Sequence, residues 1–347
     1  MLSAFYDYER AKESLSPVSI QRRPPSLWRY TEVLPVADRT GIVSLGEGYT
    51  PIVRLSGSLA VKDDGLQPTG TFKARGMSVS VSRARELGIR KLAVPSAGNA
   101  GAALACYAAA AGLTSRVYMP KESPPSTVKE VKAYGGELVM VDGNISDAGA
   151  AMANDARGYF DMSTLKEPYR LEGKKTMGYE IAEQTGLSLP NVIVYPTGGG
   201  TGLLGMWKAF GEMEELGWIG KERPRMLAVQ AEACEPIVEA FAEGRDSLEG
   251  PAHDGPTVAS GLRVPKPFAA RQILQVLKVS RGSAVAVAES SIVESMKALA
   301  KRGVFACPEG AATLAAYEKL LSEGRIERDE GVLLYNTGSG LKYLDVF

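Results

Sequence analysis

One lysine in this sequence is placed where covalent chemistry could occur. Lys73 lies in the segment PTGTFKARG, directly after a Pro-Thr-Gly turn and at the predicted start of a helix. A positive charge is unfavourable beside the positive end of a helix dipole, and a dry site would disfavour the protonated amine further. A neutral amine can form a Schiff base with a carbonyl group. The alternative is an ordinary surface lysine.

Two glycine-containing turns could hold the partner of such an amine. PTGGGTG, at 196–202, has four glycines in five positions, and we expect that packing alone does not explain them. Backbone N–H groups at the start of the following helix would bind a phosphate there. PSAGNAG, at 95–101, could hold a carboxylate or a ring oxygen, and an ordinary helix cap is its alternative.

The phosphate bound at the turn 196–202 could belong to more than one kind of ligand. GTGLLG, at 200–205, formally matches the GxGxxG pattern, and Glu232 follows the next predicted strand, so a dinucleotide is an alternative ligand. No GKS or GKT sequence follows the turn, which excludes an ATP-type P-loop.

Composition excludes other classes of chemistry. Lys and Arg number 40, as do Asp and Glu, so the balance argues against a dedicated nucleic-acid binder. Cys106, Cys234 and Cys307 lack any CxxC spacing, and we predict small buried hydrophobes rather than disulfides or a metal site. His253 is the single histidine, so the sequence does not support a catalytic Ser-His-Asp triad. No apolar run is long enough to span a membrane, and the N-terminus has no signal core, so we expect a soluble intracellular protein.

Apolar runs alternate with helix-length segments along most of the chain, which predicts an α/β fold. The predicted strands are Lys91–Val94, Arg116–Met119, Glu137–Val141, Val192–Tyr195, Met226–Gln230 and Val332–Tyr335. The predicted helices are Ala74–Leu87, Ala100–Ala111, Thr127–Tyr134, Thr176–Gln184, Leu203–Leu216, Ser291–Lys301 and Ala311–Leu321. The polar segment Tyr159–Lys175 is typical of a crossing between two domains. We therefore expect two lobes with mainly parallel sheets covered by helices, and a ligand in the cleft between them.

Several motifs, in order along nearly the whole chain, resemble the threonine synthase branch of the fold-type-II (tryptophan synthase β-like) pyridoxal-phosphate enzymes. They are LGEGYTP (45–51), PTGTFKARG (68–76), PSAGNAGAA (95–103), EPYRLEGKKT (167–176), PTGGGTGLLG (196–205), and CPEGAATLAA with NTGSGLK near the C-terminus. We expect a larger, cofactor-holding domain formed by residues 1–78 and 176–347. Residues 79–175 would form a smaller domain that carries the asparagine turn.

The resemblance implies pyridoxal 5'-phosphate as cofactor and a role for each motif. Lys73 would form the Schiff base and move protons, with Phe72 near the cofactor and Asn99 bonded to its ring hydroxyl. Thr337 would face the pyridine nitrogen. The cofactor phosphate would be bound by Gly198, Gly199, Gly200, Thr201 and Gly202, and the substrate carboxylate by Ser96, Ala97 and Gly98.

Arg170 lies where threonine synthases have an arginine for the phosphate of O-phosphohomoserine, and a guanidinium binds phosphate through two hydrogen bonds. An ion pair with Glu172 or another carboxylate is the structural alternative. The chain departs from the family by its lack of N-terminal cysteines, by KARG in place of KDRG, and by the absence of an asparagine–serine pair before Pro168. KARG is also common in serine/threonine dehydratases.

The resulting functional prediction is a carbon–oxygen lyase that makes L-threonine and phosphate from O-phospho-L-homoserine and water. The second enzyme hypothesis is β-elimination or β-replacement on serine, threonine or O-phosphoserine, and the third is a nucleotide-binding regulatory domain. We also expect a cytoplasmic homodimer with a small amino-acid substrate, and no metal, nucleic-acid or membrane partner.

Overall fold

The computed structural model describes residues 2–250 and 253–347. Its strands are β1 (Ile52–Arg54), β2 (Leu59–Asp63), β3 (Lys91–Pro95), β4 (Thr114–Pro120), β5 (Glu137–Val141), β6 (Phe160–Asp161), β7 (Val192–Pro196), β8 (Arg225–Ala231), β9 (Ser283–Val287) and β10 (Val332–Asn336). Its helices are α1 (Tyr8–Lys12), α2 (Pro17–Gln21), α3 (Lys73–Glu86), α4 (Asn99–Ala110), α5 (Pro125–Ala133), α6 (Ile145–Asp155), α7 (Tyr169–Gln184), α8 (Thr201–Glu215), α9 (Pro236–Ala242), α10 (Ala270–Val279), α11 (Glu289–Ala300) and α12 (Pro308–Ser322).

The first of two compact units contains residues 2–48 and 67–176. In this described part, a four-stranded sheet has the order β5-β4-β3-β6, and all its pairs are parallel. Val94 and Val117 pack on one face with Leu104 of α4, while Ala93 and Tyr118 pack on the other face with α6. Alternate residues of a strand point to opposite faces, so β3 and β4 are apolar on both and need helices on both.

The second unit contains residues 49–66 and the described part of 177–347. Its described strands form a six-stranded sheet of order β1-β2-β10-β7-β8-β9, in which the β1–β2 pair is antiparallel and the others are parallel. Every residue of β7 and β10 is buried, in agreement with their continuous apolar sequences. The predicted class, an α/β fold with mainly parallel sheets covered by helices, is confirmed. Among the described residues, none of the helices is sufficiently long and apolar to cross a membrane.

The division of the chain differs from the predicted one near the N-terminus. We placed residues 1–78 with the C-terminal part, but only 49–66 belong to that unit, and 2–48 and 67–78 belong to the first. The reason is packing in the first unit. Trp28 and Leu27 form an apolar cluster with Val79 of α3, and Val43 joins the core cluster that includes Met77.

The segment Tyr159–Lys175 is not the irregular crossing that we predicted. It contains β6, and α7 begins at Tyr169 rather than at Thr176. The carboxylate of Glu167 accepts hydrogen bonds from the backbone N–H groups of Tyr169 (2.6 Å) and Arg170 (3.1 Å), and so caps the helix. The sequence Glu-Pro-Tyr is therefore a helix start, and its polar character reflects a buried charged face.

Strand β2 was not predicted, because it contains a charged residue. β2 reads LAVKD, and its charged Lys62 argues against a buried strand, yet Lys62 is fully buried. Its Nζ donates to Oε2 of Glu180 at 2.8 Å and to the carbonyl oxygen of Thr50 at 2.6 Å. An ion pair inside the second unit thus makes a charged residue compatible with this strand.

Candidate active site

Lys73 is the first residue of α3, as predicted, and no side chain caps this helix. The preceding turn contains Thr69 and Gly70, both with positive φ (63° and 64°). A left-handed conformation is strained for a β-branched residue, and such strain is concentrated at functional sites. The Lys73 Nζ lies 4.2 Å from the centre of the Phe72 ring, within cation–π range. The turn thus holds a half-buried amine at the N-terminus of a helix.

Helices α3 and α7 approach each other closely at two glycines of the first unit. A Cβ atom on Gly76 would lie 2.9 Å from the carbonyl oxygen of Arg170, and one on Gly173 would overlap the carbonyl oxygen of Arg75. The side chain of Arg75, fully buried, donates to Oγ1 of Thr176 at 3.2 Å. The glycines of KARG and LEGKK therefore let the two backbones meet, a role that sequence reasoning missed.

Arg170 is the second residue of α7 and is almost fully buried, at 3% exposed. Its Nη1 donates to the carbonyl oxygen of Met162 at 2.5 Å, and its Nε has no acceptor among the residues that the structure describes. Burial lowers the pKa of the guanidinium, opposed by the negative charges of Glu167 and Asp161. The carboxylates of Glu167 and Asp161 therefore lie near the guanidinium and can compensate its charge. Its Nε–H group can still donate a hydrogen bond.

Of the structural alternative for Arg170, an ion pair with Glu172 or another carboxylate, the part that names Glu172 is wrong; the carboxylates that lower the cost of its charge are Glu167 and Asp161. The carboxylate of Glu172 pairs with Nζ of Lys175 at 2.7 Å and accepts a hydrogen bond from the Tyr6 hydroxyl at 2.8 Å. Both side chains of the Lys175–Glu172 pair are fully buried. The N-terminal segment therefore contacts α7 through Tyr6, and Glu172 is the partner of Lys175 rather than of Arg170.

The asparagine turn precedes α4, which begins at Asn99. Gly98 has φ +153°, and a Cβ atom there would lie 3.2 Å from Cγ2 of Thr127. The Ser96 hydroxyl oxygen accepts hydrogen bonds from the N–H groups of Gly98 (3.1 Å) and Gly101 (2.9 Å). Ser96 is buried, Asn99 is half-buried and Ala97 is exposed. Ser96 therefore shapes the turn, and its hydroxyl hydrogen stays available for a ligand.

The second glycine turn lies before α8 in the second unit. Gly200 precedes the helix in a left-handed conformation (φ 71°), and no side chain caps the helix, whose first residue is Thr201. The first N–H groups of a helix have no acceptor within it, so this turn offers donors to an anion. The arrangement fits a phosphate bound by the main chain.

Packing nevertheless explains three of the four glycines, contrary to our expectation. A Cβ atom on Gly198 would overlap the carbonyl oxygen of Gly261, and one on Gly202 would overlap the Tyr195 hydroxyl. One on Gly200 would overlap the side chain of Ile273. The glycines therefore satisfy the protein's own close contacts as well as any ligand, which makes the motif weaker evidence for a phosphate than we predicted.

Thr337 follows β10 and is 6% exposed. The side chain of its neighbour Asn336 donates to Oδ1 of Asp63 at 2.7 Å, which fixes the end of the strand. The Sγ of Cys307 lies 3.7 Å from Oγ1 of Thr337 and accepts a hydrogen bond from the N–H of Gly310 at 3.3 Å. Burial, followed by the charge of Glu309, raises the pKa of this thiol well above its usual range. Cys307 is buried as predicted, but it also makes polar contacts that the sequence did not reveal.

Glu47 of LGEGYTP is a second residue whose part sequence reasoning missed. It is fully buried in the first unit and accepts hydrogen bonds from Trp28 Nε1 (2.8 Å), Ser78 Oγ (2.7 Å) and Tyr107 OH (2.6 Å). Burial and the nearby Glu47 charge raise the pKa of Tyr107, so its hydroxyl stays protonated and donates. The motif thus anchors α3 and α4 to the segment before them. A charged residue between two glycines was the available signal.

Comparison with known proteins places these motifs in one family. Residues 43–338 match the family model described as pyridoxal-phosphate dependent enzyme. The threonine synthase of Methanocaldococcus jannaschii is 38% identical over 99% of this chain and 87% of its own length. The threonine synthase of Methanosarcina acetivorans is 35% identical, over 99% of this chain and 86% of its own length.

Solved structures share the fold of this chain. A pyridoxal 5'-phosphate-dependent aspartate racemase matches with a TM-score of 0.71 and 23% identity, over 84% of this chain and 90% of its own. A threonine deaminase from T.th. matches with a TM-score of 0.65 and 27% identity, over 81% and 87% of the two chains. The family model, and the identity to threonine synthases over almost the whole chain, together show that this chain belongs to the pyridoxal-phosphate-dependent enzymes, in the branch that contains the threonine synthases.

Proposed function

We propose that this chain converts O-phospho-L-homoserine and water to L-threonine and phosphate. The observation that carries the proposal is Arg170, a buried guanidinium at the start of α7 whose Nε has no acceptor among the described residues. A phosphorylated substrate supplies the oxygens that such a group binds. The identity of the chain to threonine synthases supports the same reaction, and family membership decides against the dinucleotide alternative.

The residues fit pyridoxal phosphate. Lys73 offers an amine at a helix N-terminus, and the uncapped start of α8 offers backbone donors for a phosphate. When bound, the cofactor supplies a carbonyl group for covalent attachment of an amine and a conjugated ring that accepts electron density from neighbouring bonds.

We assign the following roles to this chain's own residues. Lys73 would hold the cofactor covalently through its amine, and the same amine would move protons at the substrate Cα and Cβ. Asn99 would donate to the ring hydroxyl of the cofactor, with Phe72 nearby. The cofactor phosphate would be bound at the turn formed by Gly198, Gly199, Gly200, Thr201 and Gly202.

The remaining residues direct the reaction. The Thr337 hydroxyl would be the partner of the pyridine nitrogen of the cofactor. A hydroxyl, unlike a carboxylate, would leave that nitrogen largely neutral, and a neutral nitrogen would favour elimination and replacement over transamination. Ser96, Ala97 and Gly98 bind the substrate carboxylate. Arg170 binds the phosphate on Cγ and stabilises it as it leaves, after which water adds at Cβ.

A second candidate is elimination or replacement on serine, threonine or O-phosphoserine. The KARG sequence at Lys73–Gly76 and the 27% identity to a threonine deaminase favour it. Product analysis of the holoenzyme with O-phosphohomoserine, O-phosphoserine, serine and threonine in competition separates the two. We expect threonine and phosphate from O-phosphohomoserine, whereas 2-oxo acids formed from serine or threonine alone would establish the second candidate.

We also propose a cytoplasmic homodimer. The dimer is supported by exposed apolar side chains near the C-terminus. Phe305 stacks on Phe347 with ring centres 4.5 Å apart, and Leu341 and Leu344 are more than half exposed. Light scattering of the wild type and of Leu341→Glu tests this assembly, and we expect a dimer that the charged variant weakens. A monomeric wild type would contradict it.

A further inference from the structure

The face of α7 that bears the buried Arg170 carries a buried lysine as well, Lys174. Residues four positions apart lie on the same face of a helix, and Lys174 is 1% exposed. Its Nζ lies 5.3 Å from the centre of the Phe72 ring, the same ring that the Lys73 amine approaches to 4.2 Å. Lys174 therefore lies in the neighbourhood of the lysine that we propose holds the cofactor.

The next residue, Lys175, shows what an ordinary buried lysine looks like in this helix. It pairs with the carboxylate of Glu172 at 2.7 Å and lies 4.0 Å from the Tyr6 ring centre. The charged groups nearest to Lys174 are Arg170, Lys73 and the carboxylate of Glu167. That carboxylate also caps α7. Two adjacent lysines of α7, both buried, thus lie beside different charged groups.

These surroundings suit an anion. Burial, then the charges of Arg170 and Lys73, lower the pKa of Lys174 well below the usual lysine range, and Glu167 opposes that shift. The N-terminus of α7 adds partial positive charge near Arg170, whose Nε has no acceptor among the described residues. A doubly charged phosphate placed here would compensate the cationic groups and accept their hydrogen bonds.

We propose that Lys174 binds the phosphate group of the substrate together with Arg170, and holds the phosphate ion after it leaves. This inference rests on the proposed function and adds a substrate-binding residue to it. Binding of the dianion favours the ammonium form of Lys174, so the amine takes up a proton from solvent as the phosphate binds. The charged groups that face it are Lys73 of α3, Arg170 of α7 and Glu167, with Asp161 of β6 next to Arg170.

The test uses inorganic phosphate as the probe and the holoenzyme as the protein. Its dissociation constant is measured by calorimetry for the wild type, Lys174→Met and Lys166→Met. Lys166 is an exposed lysine of the same segment and serves as the matched control. Lys174→Met removes a charge-assisted hydrogen bond, and we expect phosphate to bind about tenfold more weakly or worse. Lys166→Met leaves the constant unchanged. Lys174→Gln provides a second variant that keeps a polar side chain.

Unchanged phosphate affinity in both Lys174 variants would overturn the proposal. A shift in the pH profile of cofactor absorbance, without a change in phosphate affinity, would also overturn it and show that Lys174 acts on Lys73. The measurement needs no turnover, which separates it from the proposed function. Lys174-dependent phosphate binding by an enzyme inactive on O-phosphohomoserine would leave the phosphate site standing and remove the function. Turnover of O-phosphohomoserine by an enzyme whose phosphate binding does not depend on Lys174 would support the proposed function and remove the phosphate site at Lys174.

Discussion

The cationic side chains proposed to take part in the chemistry belong to the first unit, and the main-chain N–H groups proposed to bind the cofactor phosphate belong to the second. Lys73, Arg170 and Lys174 are cationic groups at or near helix N-termini, and the last two are buried. The turn before α8 has no charged side chain, and three of its glycines are required by the protein's own contacts. A substitution in the first region therefore removes a chemical group from an unchanged backbone, whereas one in the second changes the backbone itself.

The largest effect is expected at Lys73. Lys73→Ala removes the amine that attaches the cofactor and moves protons, so we expect kcat to fall by about a thousandfold or more. Borohydride reduction of the wild-type holoenzyme, followed by peptide mapping, is expected to place the pyridoxyl group on Lys73. A label on another lysine would contradict the assignment. Lys166→Ala, at an exposed position, is the control for the loss of a lysine as such.

Arg170 comes next in expected size. Arg170→Ala removes bidentate hydrogen bonds to the substrate phosphate, and we expect kcat/KM for O-phosphohomoserine to fall at least a hundredfold, about 3 kcal/mol of transition-state stabilisation. Arg170→Lys keeps the charge and should lose less. Cofactor absorbance should persist in both variants because the turn before α8 is intact. Loss of folding in Arg170→Ala and Arg170→Lys alike would show that the residue is structural.

The sequence was sufficient for the regular parts of both regions. Continuous apolar runs predicted the buried strands, and the turn before Lys73 predicted the start of α3. It was insufficient where tertiary contacts compensate a charge: Lys62 interrupts the pattern of β2, and Glu167 caps a helix that looked like a polar crossing. The partner of Glu172 was missed because the helix was missed: on α7, Lys175 lies three residues on and shares a face with Glu172, whereas Arg170, two residues back, does not.

A glycine substitution should distinguish the second region from the first. Gly200 and Gly217 both have positive φ, but a Cβ atom would overlap Ile273 at Gly200, and it would meet nothing within 4 Å at Gly217. Gly217→Ala therefore measures backbone strain alone, about 1 kcal/mol. We expect Gly200→Ala to destabilise the holoenzyme by more, and also to weaken pyridoxal phosphate binding in a direct titration.

Replacement of Ile273 by Ala in the Gly200→Ala background removes the overlap and isolates the effect on the cofactor. If the double variant regains full cofactor affinity, the glycine serves packing only. If the affinity stays low while stability recovers, the left-handed N–H geometry at Gly200 is needed by the phosphate. The second outcome is the one we expect, because a helix N-terminus binds anions through its main chain.

The smallest effect concerns the pH dependence of stability at the cationic face. The pKa of Lys174 is lowered in the folded state by burial and by the charge of Arg170, while an unfolded lysine keeps a value near 10.4. Between these two values the unfolded chain binds one more proton than the folded one, so this residue makes stability rise with pH, by at most about 1.4 kcal/mol per pH unit. Lys174→Met removes that contribution. We therefore expect the variant to be more stable than the wild type in urea unfolding of the holoenzyme at pH 7, with a smaller advantage at pH 9.

Lys175→Met should act in the opposite sense, because it leaves Glu172 buried without its ion-pair partner. An equal loss of stability in both variants at both pH values would show that Lys174 is compensated as fully as its neighbour, and would remove the electrostatic contrast between the two lysines.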